Sequence, residues 1–405
     1  MDRLQGLLGI AVIFAIIFVC SNARRRIRWR TLAVGFGLQI LFAFLVLAWE
    51  PGFAALKAVS KGIGKLSDFT NEGTAFVFGD LFDPESRFVF AFNVLPVIIV
   101  LGAIIAALYY LRVIQFFVDY VGAGIGKLMG TSKVESVWAA TVIFLGQSEA
   151  PLVISPYLKR LTKSELFTCM AGGFASVAGS TLLGYALLGA PLEYLLAASV
   201  MNAPGSLLVA KGLMPETEHS DLDGSVRDVR DEDSRNLIDA LGKGAMTGGR
   251  IAVVVACLLL AFIALIAMVS AIIGGVGGWF GQDNWSLEGL FGLIMSPVAW
   301  LIGVPWEDAS LVGSFIGEKT ILNEFVGYSS FSEHVENLHP KSVMLSTFAL
   351  AGFANLSSIA IQIGSIGSLC PERRPEIAQY GLRALFAGFL TNLLNAAIVG
   401  VVVGV

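Results

Sequence analysis

Repeated apolar runs, each long enough to cross a lipid bilayer, constrain this chain more than any other feature. A hydrocarbon core about 30 Å thick is spanned by roughly 20 helical residues. Leu4–Cys20, Thr31–Trp49, Arg87–Leu111, Leu192–Leu213, Ile251–Ile273 and Tyr380–Val405 meet that length with few charges or none. Leu166–Leu188 and Ser342–Leu369 are also apolar but carry Ser, Asn or Gly at intervals. With 405 residues, 56% of them hydrophobic and only 14% charged, the chain is too apolar for a soluble protein and reads as a polytopic membrane protein.

The first run is followed by Ser-Asn-Ala-Arg and a basic cluster, so it is expected to be a span and not a cleaved signal. Cys20, Cys169, Cys257 and Cys370 are scattered and show neither metal-ligand nor redox spacing. Three histidines, His219, His334 and His339, leave little material for a metalloenzyme, and a formal charge of −4 argues against nucleic acid as a partner.

Basic residues near span ends favour the cytoplasm. Arg24, Arg25, Arg26, Arg28 and Arg30 orient the first span from outside to inside, and Lys159, Arg160, Lys163, Arg373 and Arg374 mark further cytoplasmic loops. The mixed-charge stretch Glu216–Lys243 suits a solvated linker dividing the chain into halves. Gly52–Phe69 and Ile114–Met129 are amphipathic and too polar to span, and are expected to lie along the membrane surface.

Thr131–Lys163 starts and ends on the cytoplasmic side by this count, so it is expected to enter the membrane and return. Val304–Phe331 is expected to dip in from the opposite face. The halves echo each other: GQSEAP is followed, 27 positions after Glu149, by Ser176 within GGFASVAGS, and NEF is followed, 31 positions after Glu324, by Asn355 within AGFANLSS. Two hairpins entering from opposite sides make this an inverted repeat, in which broken helices build a site near the membrane midplane. A single intramembrane Ser often only bridges helices, and a glycine often only permits close packing. Carboxylates at depth are costly and usually functional, which singles out Glu149 and Glu324.

At GQSEAPLVISPYL, SELF, NEFV and GFANLSSIAI the sequence resembles the concentrative nucleoside transporter family, essentially from Met1 to Val405. The resemblance implies an all-α polytopic membrane protein with eight transmembrane helices, two re-entrant hairpins in inverted repeats and interfacial helices, assembled as a homotrimer. It also implies scaffold helices over 1–130, a first transport-domain half over 131–214, a cytoplasmic linker over 215–246, a scaffold helix and interfacial segment over 247–303, and a second transport-domain half over 304–405. Localisation would be a bacterial inner membrane, with both termini periplasmic.

By the same resemblance Gln147, Ser148 and Glu149 meet the nucleobase, Thr181 faces it, and Glu324, Asn355 and Ser358 bind the ribose hydroxyls, with Phe353 either near the site or packing. A Gln amide both donates and accepts, which suits a base edge. Sodium-coupled members place an Asn six residues before the Ser/Thr of G-Q-(S/T)-E, where this chain has Val142. The remaining candidates for Na⁺ are Ser148, Ser176 and the carbonyls of Leu145 and Val177, with Thr141 as a substitute. The expected coupling ion is therefore H⁺ ahead of Na⁺, with Glu149 as the proton carrier. The expectation is a symporter without chemical cofactor, against two alternatives: a passive facilitator, or an intramembrane enzyme using the Glu149/Glu324 pair.

Overall fold

The computed structural model describes residues 2–81, 89–220, 234–279 and 285–403. Residues 221–233 of the expected linker, Arg87 at the head of one expected span and residues 404–405 at the end of the last lie outside them. Among the described residues every regular element is helical: α1 (Asp2–Val19), α2 (Trp29–Ala43, continued by one π-helical turn to Ala48), α3 (Glu50–Phe78), α4 (Phe90–Asn93), α5 (Leu95–Tyr110) and α6 (Val113–Met129) form the N-terminal part. There follow α7 (Lys133–Thr141), α8 (Ala150–Ile154), α9 (Lys163–Ala175), α10 (Gly179–Leu187), α11 (Leu192–Leu213) and α12 (Leu237–Gly278). The chain ends with α13 (Leu287–Leu301), α14 (Trp306–Ile321), α15 (Glu324–His334), α16 (Pro340–Leu350), α17 (Leu356–Leu369) and α18 (Arg374–Val403).

Six of these helical segments are long and apolar enough to cross a membrane, or seven if α13 and α14, bent by 116° at their junction, count as one. The surface helix expected over Gly52–Phe69 is longer than its amphipathic core, running to Phe78. Helix α12 begins at Leu237, within the polar stretch expected to be linker. Asn236 accepts from Asp239 N, and Asp239 pairs with Lys243 one turn on, so a polar sequence still starts a helix there.

Local sequence sets the ends of the functional helices. Ser132-x-x-Glu135 and Thr162-x-x-Glu165 each form a capping box, with the hydroxyl accepting from the third residue's N–H and the Glu side chain accepting in return. Asn323 and Asn355 cap α15 and α17 by accepting from Val326 N and Ser358 N. The two apolar segments interrupted by small polar residues are broken helices: α9 stops at Ala175 before α10, and α16 stops at Leu350 before α17. A third break separates α7 from α8, and a fourth separates α14 from α15.

All four breaks meet. Gly179 N donates to Phe144 O at 3.0 Å, joining the α9/α10 break to the α7/α8 break, and Phe353 N donates to Ser176 O at 3.1 Å, joining the α9/α10 break to the α16/α17 break. Asn355 Nδ2 donates to Glu324 Oε2 at 2.8 Å and brings in the fourth. Backbone groups freed where a membrane helix unwinds must find partners inside the protein, and these bonds supply some of them.

A buried amide cluster braces this junction. Asn392 on α18 donates to Ala175 O at 3.0 Å and Ala351 O at 2.9 Å, and its Oδ1 accepts from Lys319 Nζ at 2.8 Å. Asn395 bonds Asn202 on α11, and Gln39 on α2 donates to Asn395 Oδ1. Gly352 is needed here: a Cβ at that position would lie 2.8 Å from Ala175 O and 2.7 Å from Asn392 Nδ2. On the outer side α5 and α12 touch through Gly102, Gly244 and Gly248, where added Cβ atoms would fall 2.5–2.8 Å from the facing backbone oxygens.

Candidate functional site

Where the breaks converge, polar side chains of both halves form one buried chain of hydrogen bonds. Glu324, the first residue of α15, accepts from Tyr185 OH at 3.0 Å through Oε1 and from Asn355 Nδ2 at 2.8 Å through Oε2. Asn355 Oδ1 accepts from Ser358 N at 2.9 Å and from Ser357 Oγ at 2.7 Å. Ser358 Oγ accepts from Gln147 Nε2 at 2.7 Å, and Gln147 Oε1 accepts from Gln362 Nε2 at 3.1 Å. Gln147, Glu324, Asn355, Ser358, Gln362 and Tyr185 are all buried.

The electrostatics follow from the helix ends. Glu324 and Asn355 stand at the N-termini of α15 and α17, whose free N–H groups carry partial positive charge, so a carboxylate and a polar ligand are both favoured there. A carboxylate has about four acceptor positions. Tyr185 and Asn355 occupy two, which leaves Glu324 able to accept from further hydroxyls. Gln147, by contrast, is held at both ends of its amide by α17, so its remaining N–H has a fixed direction.

Of the residues expected from the sequence, Gln147, Glu324, Asn355 and Ser358 are joined in this chain. Thr181 is buried one turn before Tyr185 and donates to Ala178 O at 3.0 Å. Phe353 is half-buried and reaches the junction through its backbone. Ser148 is exposed, and Glu149 is half-buried against a separate cavity of about 820 Å³. That cavity is also lined by Tyr109, Ser180, Asp239, Lys243 and Arg250, so Glu149 shares it with the polar start of α12.

Two members of the chain were not singled out from sequence. Tyr185 lies four residues after Thr181 and Gln362 four after Ser358, a spacing that puts each on the same helical face as an expected site residue. That periodicity was a usable signal.

The expected cation ligands are less well gathered. Leu145, Ser176 and Val177 are buried beside the first two breaks, whereas Ser148 is exposed. Ser176 Oγ donates to Gly173 O and Thr141 Oγ1 to Val137 O, both at 2.8 Å and both within their own helices. Val142, at the C-terminal end of α7 and three residues before Leu145, is an aliphatic side chain only 2% exposed.

Comparison with known proteins matches this architecture along its whole length. Residues 8–81 match the model for the Na⁺ dependent nucleoside transporter N-terminus, 91–192 a gate domain described as nucleoside recognition, and 194–400 the Na⁺ dependent nucleoside transporter C-terminus. An uncharacterized transporter, YutK, of Bacillus subtilis is 50% identical over 99% of both chains. Nucleoside permease NupC of Helicobacter pylori is 41% identical over 100% of this chain and 98% of its own. The solved structure of CNTnw in an inward-facing substrate-bound state superposes with a TM-score of 0.95 at 45% identity, covering 100% of this chain and 98% of that one. A variant of CNTnw in an outward-facing state superposes with the same TM-score, so likeness of the whole chain does not distinguish the two states. A match this complete, in sequence and in fold, means that the chain belongs to the concentrative nucleoside transporter family.

Proposed function

We propose that this protein is a secondary active symporter that imports nucleosides, driven by protons and not by sodium. The observation that carries the first part is the buried chain Tyr185–Glu324–Asn355–Ser358–Gln147–Gln362, which joins acceptors suited to ribose hydroxyls with an amide suited to a base edge. Two hydroxyls donating to Glu324 would favour ribose over analogues lacking them, because a buried acceptor left unmatched costs about 1–3 kcal/mol. Thr181, Ser148 and Phe353 complete the substrate-binding surface in this reading. H. pylori NupC carries the name nucleoside permease and CNTnw is described as substrate-bound, and both support the assignment by similarity.

The proton reading rests on Val142. Na⁺ is a hard cation that needs several oxygens, and a Val side chain offers none while Leu145, Ser176 and Val177 contribute the rest. Glu149 is the proton carrier in this scheme: it is half-buried, and its cavity runs to the charged residues Asp239, Lys243 and Arg250. The same reading takes the α7/α8 and α14/α15 pairs as re-entrant hairpins that gate the site alternately. It counts eight spans, a homotrimer in a bacterial inner membrane, periplasmic termini, and the transport-domain halves 131–214 and 304–405 flanking a cytoplasmic linker. No chemical step is needed, and the relatives named above are transporters.

The test is uptake of labelled uridine into proteoliposomes under an inward proton gradient, a sodium gradient, or neither. Accumulation under the proton gradient alone is expected. Accumulation only under sodium overturns the ion assignment, and equilibration without accumulation under either gradient makes the protein a facilitator.

A further inference from the structure

Away from the nucleoside site, α12, α13, α14 and α15 enclose a second cavity of about 540 Å³ whose polar lining is acidic. On α14 the lining residues Glu307, Ser310, Ser314 and Glu318 recur at helical spacing and form one stripe about 16 Å long at 1.5 Å per residue. Helix α15 answers with Ser329, Ser330, Glu333 and His334. The stripe is graded in exposure. Glu307 and Glu333 are exposed at the mouth, Glu288 of α13 is half-buried, and Glu318 lies at the floor with 1% of its surface accessible.

Glu318 is the anomaly. Its Oε2 atom is buried and has no hydrogen-bond partner, although its carboxyl lies close to Ser330 and to the charges of Glu288 and Glu333. The adjacent cation does not serve it, because Lys319 Nζ is fully buried on another face and donates to Ala349 O and Asn392 Oδ1, each at 2.8 Å. Helix α12 contributes only Ile263, Ile266 and Ala267 to the cavity, and His334 Nδ1 is engaged by Ser330 O. A carboxylate left charged in such a place is strongly disfavoured, and like charges around it add to the cost. Among the described residues no three acidic or histidine side chains stand close enough to hold one metal ion. A single carboxyl with an unmatched oxygen holds a proton without any further ligand.

We propose that Glu318 is a proton-binding carboxyl at the floor of an acidic funnel, loaded through the mouth formed by Glu307 and Glu333. Clefts lined by one sign of charge concentrate counter-ions, so the outer carboxylates supply the inner one. The proposal does not rest on proton-driven uptake, since Glu318 would bind a proton in a sodium-coupled transporter as well.

Infrared difference spectroscopy of the full chain in lipid nanodiscs, stepped from mildly alkaline to mildly acidic buffer, tests it. The acid step should raise a neutral-carboxyl C=O band in the wild type and in Glu149→Gln, and that band should be lost in Glu318→Gln. Glu318→Asp, which keeps the carboxyl, should shift the band's frequency and so guards against a folding defect in the Gln variant. Glu307→Gln and Glu333→Gln, at exposed positions, should retain the band but require more acidic buffer to raise it. A band of unchanged intensity in Glu318→Gln overturns the proposal. So does suppression of the band by sodium chloride but not choline chloride at fixed pH, which would make a metal cation the occupant.

Discussion

The side-chain amide of Gln147 donates to Ser358 Oγ at 2.7 Å, although 211 positions of chain separate them. The first residue belongs to the break between α7 and α8 and the second to the first turn of α17, so the two halves of the molecule are joined at the site by side chains as well as by backbone. Gln362, four residues beyond Ser358, completes the clamp by donating to Gln147 Oε1 and to Met170 O. Orientation of the amide is thereby set before any ligand arrives, which reduces the ordering cost of binding.

Replacing Gln362 with Leu removes the donor to Gln147 Oε1 and leaves a buried acceptor unmatched. The expected result is roughly a tenfold rise in the half-saturation concentration for uridine, about 1.4 kcal/mol. Discrimination among bases should relax while the requirement for ribose hydroxyls persists. Competition of labelled uridine uptake by base-modified and by deoxyribose analogues separates the two effects; equal losses against both sets would mean that Gln362 does not act through Gln147.

Tyr185→Phe makes the complementary test on the ribose side. The ring stacks on Tyr328 with centroids 4.6 Å apart, and Phe preserves that packing. Only the O–H donor to Glu324 is lost. Hydrogen bonds to charged groups contribute about 1.5–3 kcal/mol, so affinity should fall at least tenfold with little change in melting temperature. A large fall in melting temperature with unchanged affinity would assign the tyrosine to packing instead.

Much of this site was legible in the sequence because polar residues in apolar runs are expensive. Glu324 and Gln147 stood out for that reason, Asn355 through the echo between the two halves and Ser358 through the family resemblance, and the structure joins all four. Glu149 stood out equally but faces the cavity toward α12, since adjacent residues in an irregular segment point to different sides and composition alone does not say which. Lys319 and Asn392 escaped notice because each acts through the other across 73 positions of chain, a pairing that neither local sequence announces. Helix α12 shows the opposite limit: its polar first turns looked like linker, and only the Asn236 cap and the Asp239–Lys243 pair make them helix.

Asn392 gives a prediction about stability. Its side chain satisfies Ala175 O and Ala351 O at the ends of two broken helices and accepts from Lys319. Leucine at this position would leave Ala175 O without this donor, remove one of two donors to Ala351 O and one of two acceptors of Lys319 Nζ, at about 1–3 kcal/mol for a group left unmatched in a site that excludes water. Asn392→Leu should therefore lower the melting temperature in detergent sharply. Asn392→Asp, which keeps an acceptor for the Lys319 ammonium, should recover part of the loss, and equal destabilisation by both would show that the carbonyl contacts dominate.

Val142→Asn tests the coupling ion through stability as well as transport. Val142 caps the C-terminus of α7 and is 2% exposed, so Asn, of similar size, introduces a buried oxygen at the position where sodium-coupled members carry one. Without an ion that amide is poorly matched, and the variant should melt below the wild type. A ligand that binds only the folded protein stabilises it by RT ln(1 + [L]/Kd), about 2.7 kcal/mol at a hundredfold excess over Kd. Sodium chloride, compared with choline chloride at equal ionic strength, should therefore raise the melting temperature of Val142→Asn and leave the wild type unmoved. Sodium-stimulated uridine uptake should appear in the same variant. Stabilisation of the wild type by sodium to the same extent would show that the remaining oxygens already suffice, and that the aliphatic side chain at position 142 is compatible with a sodium site.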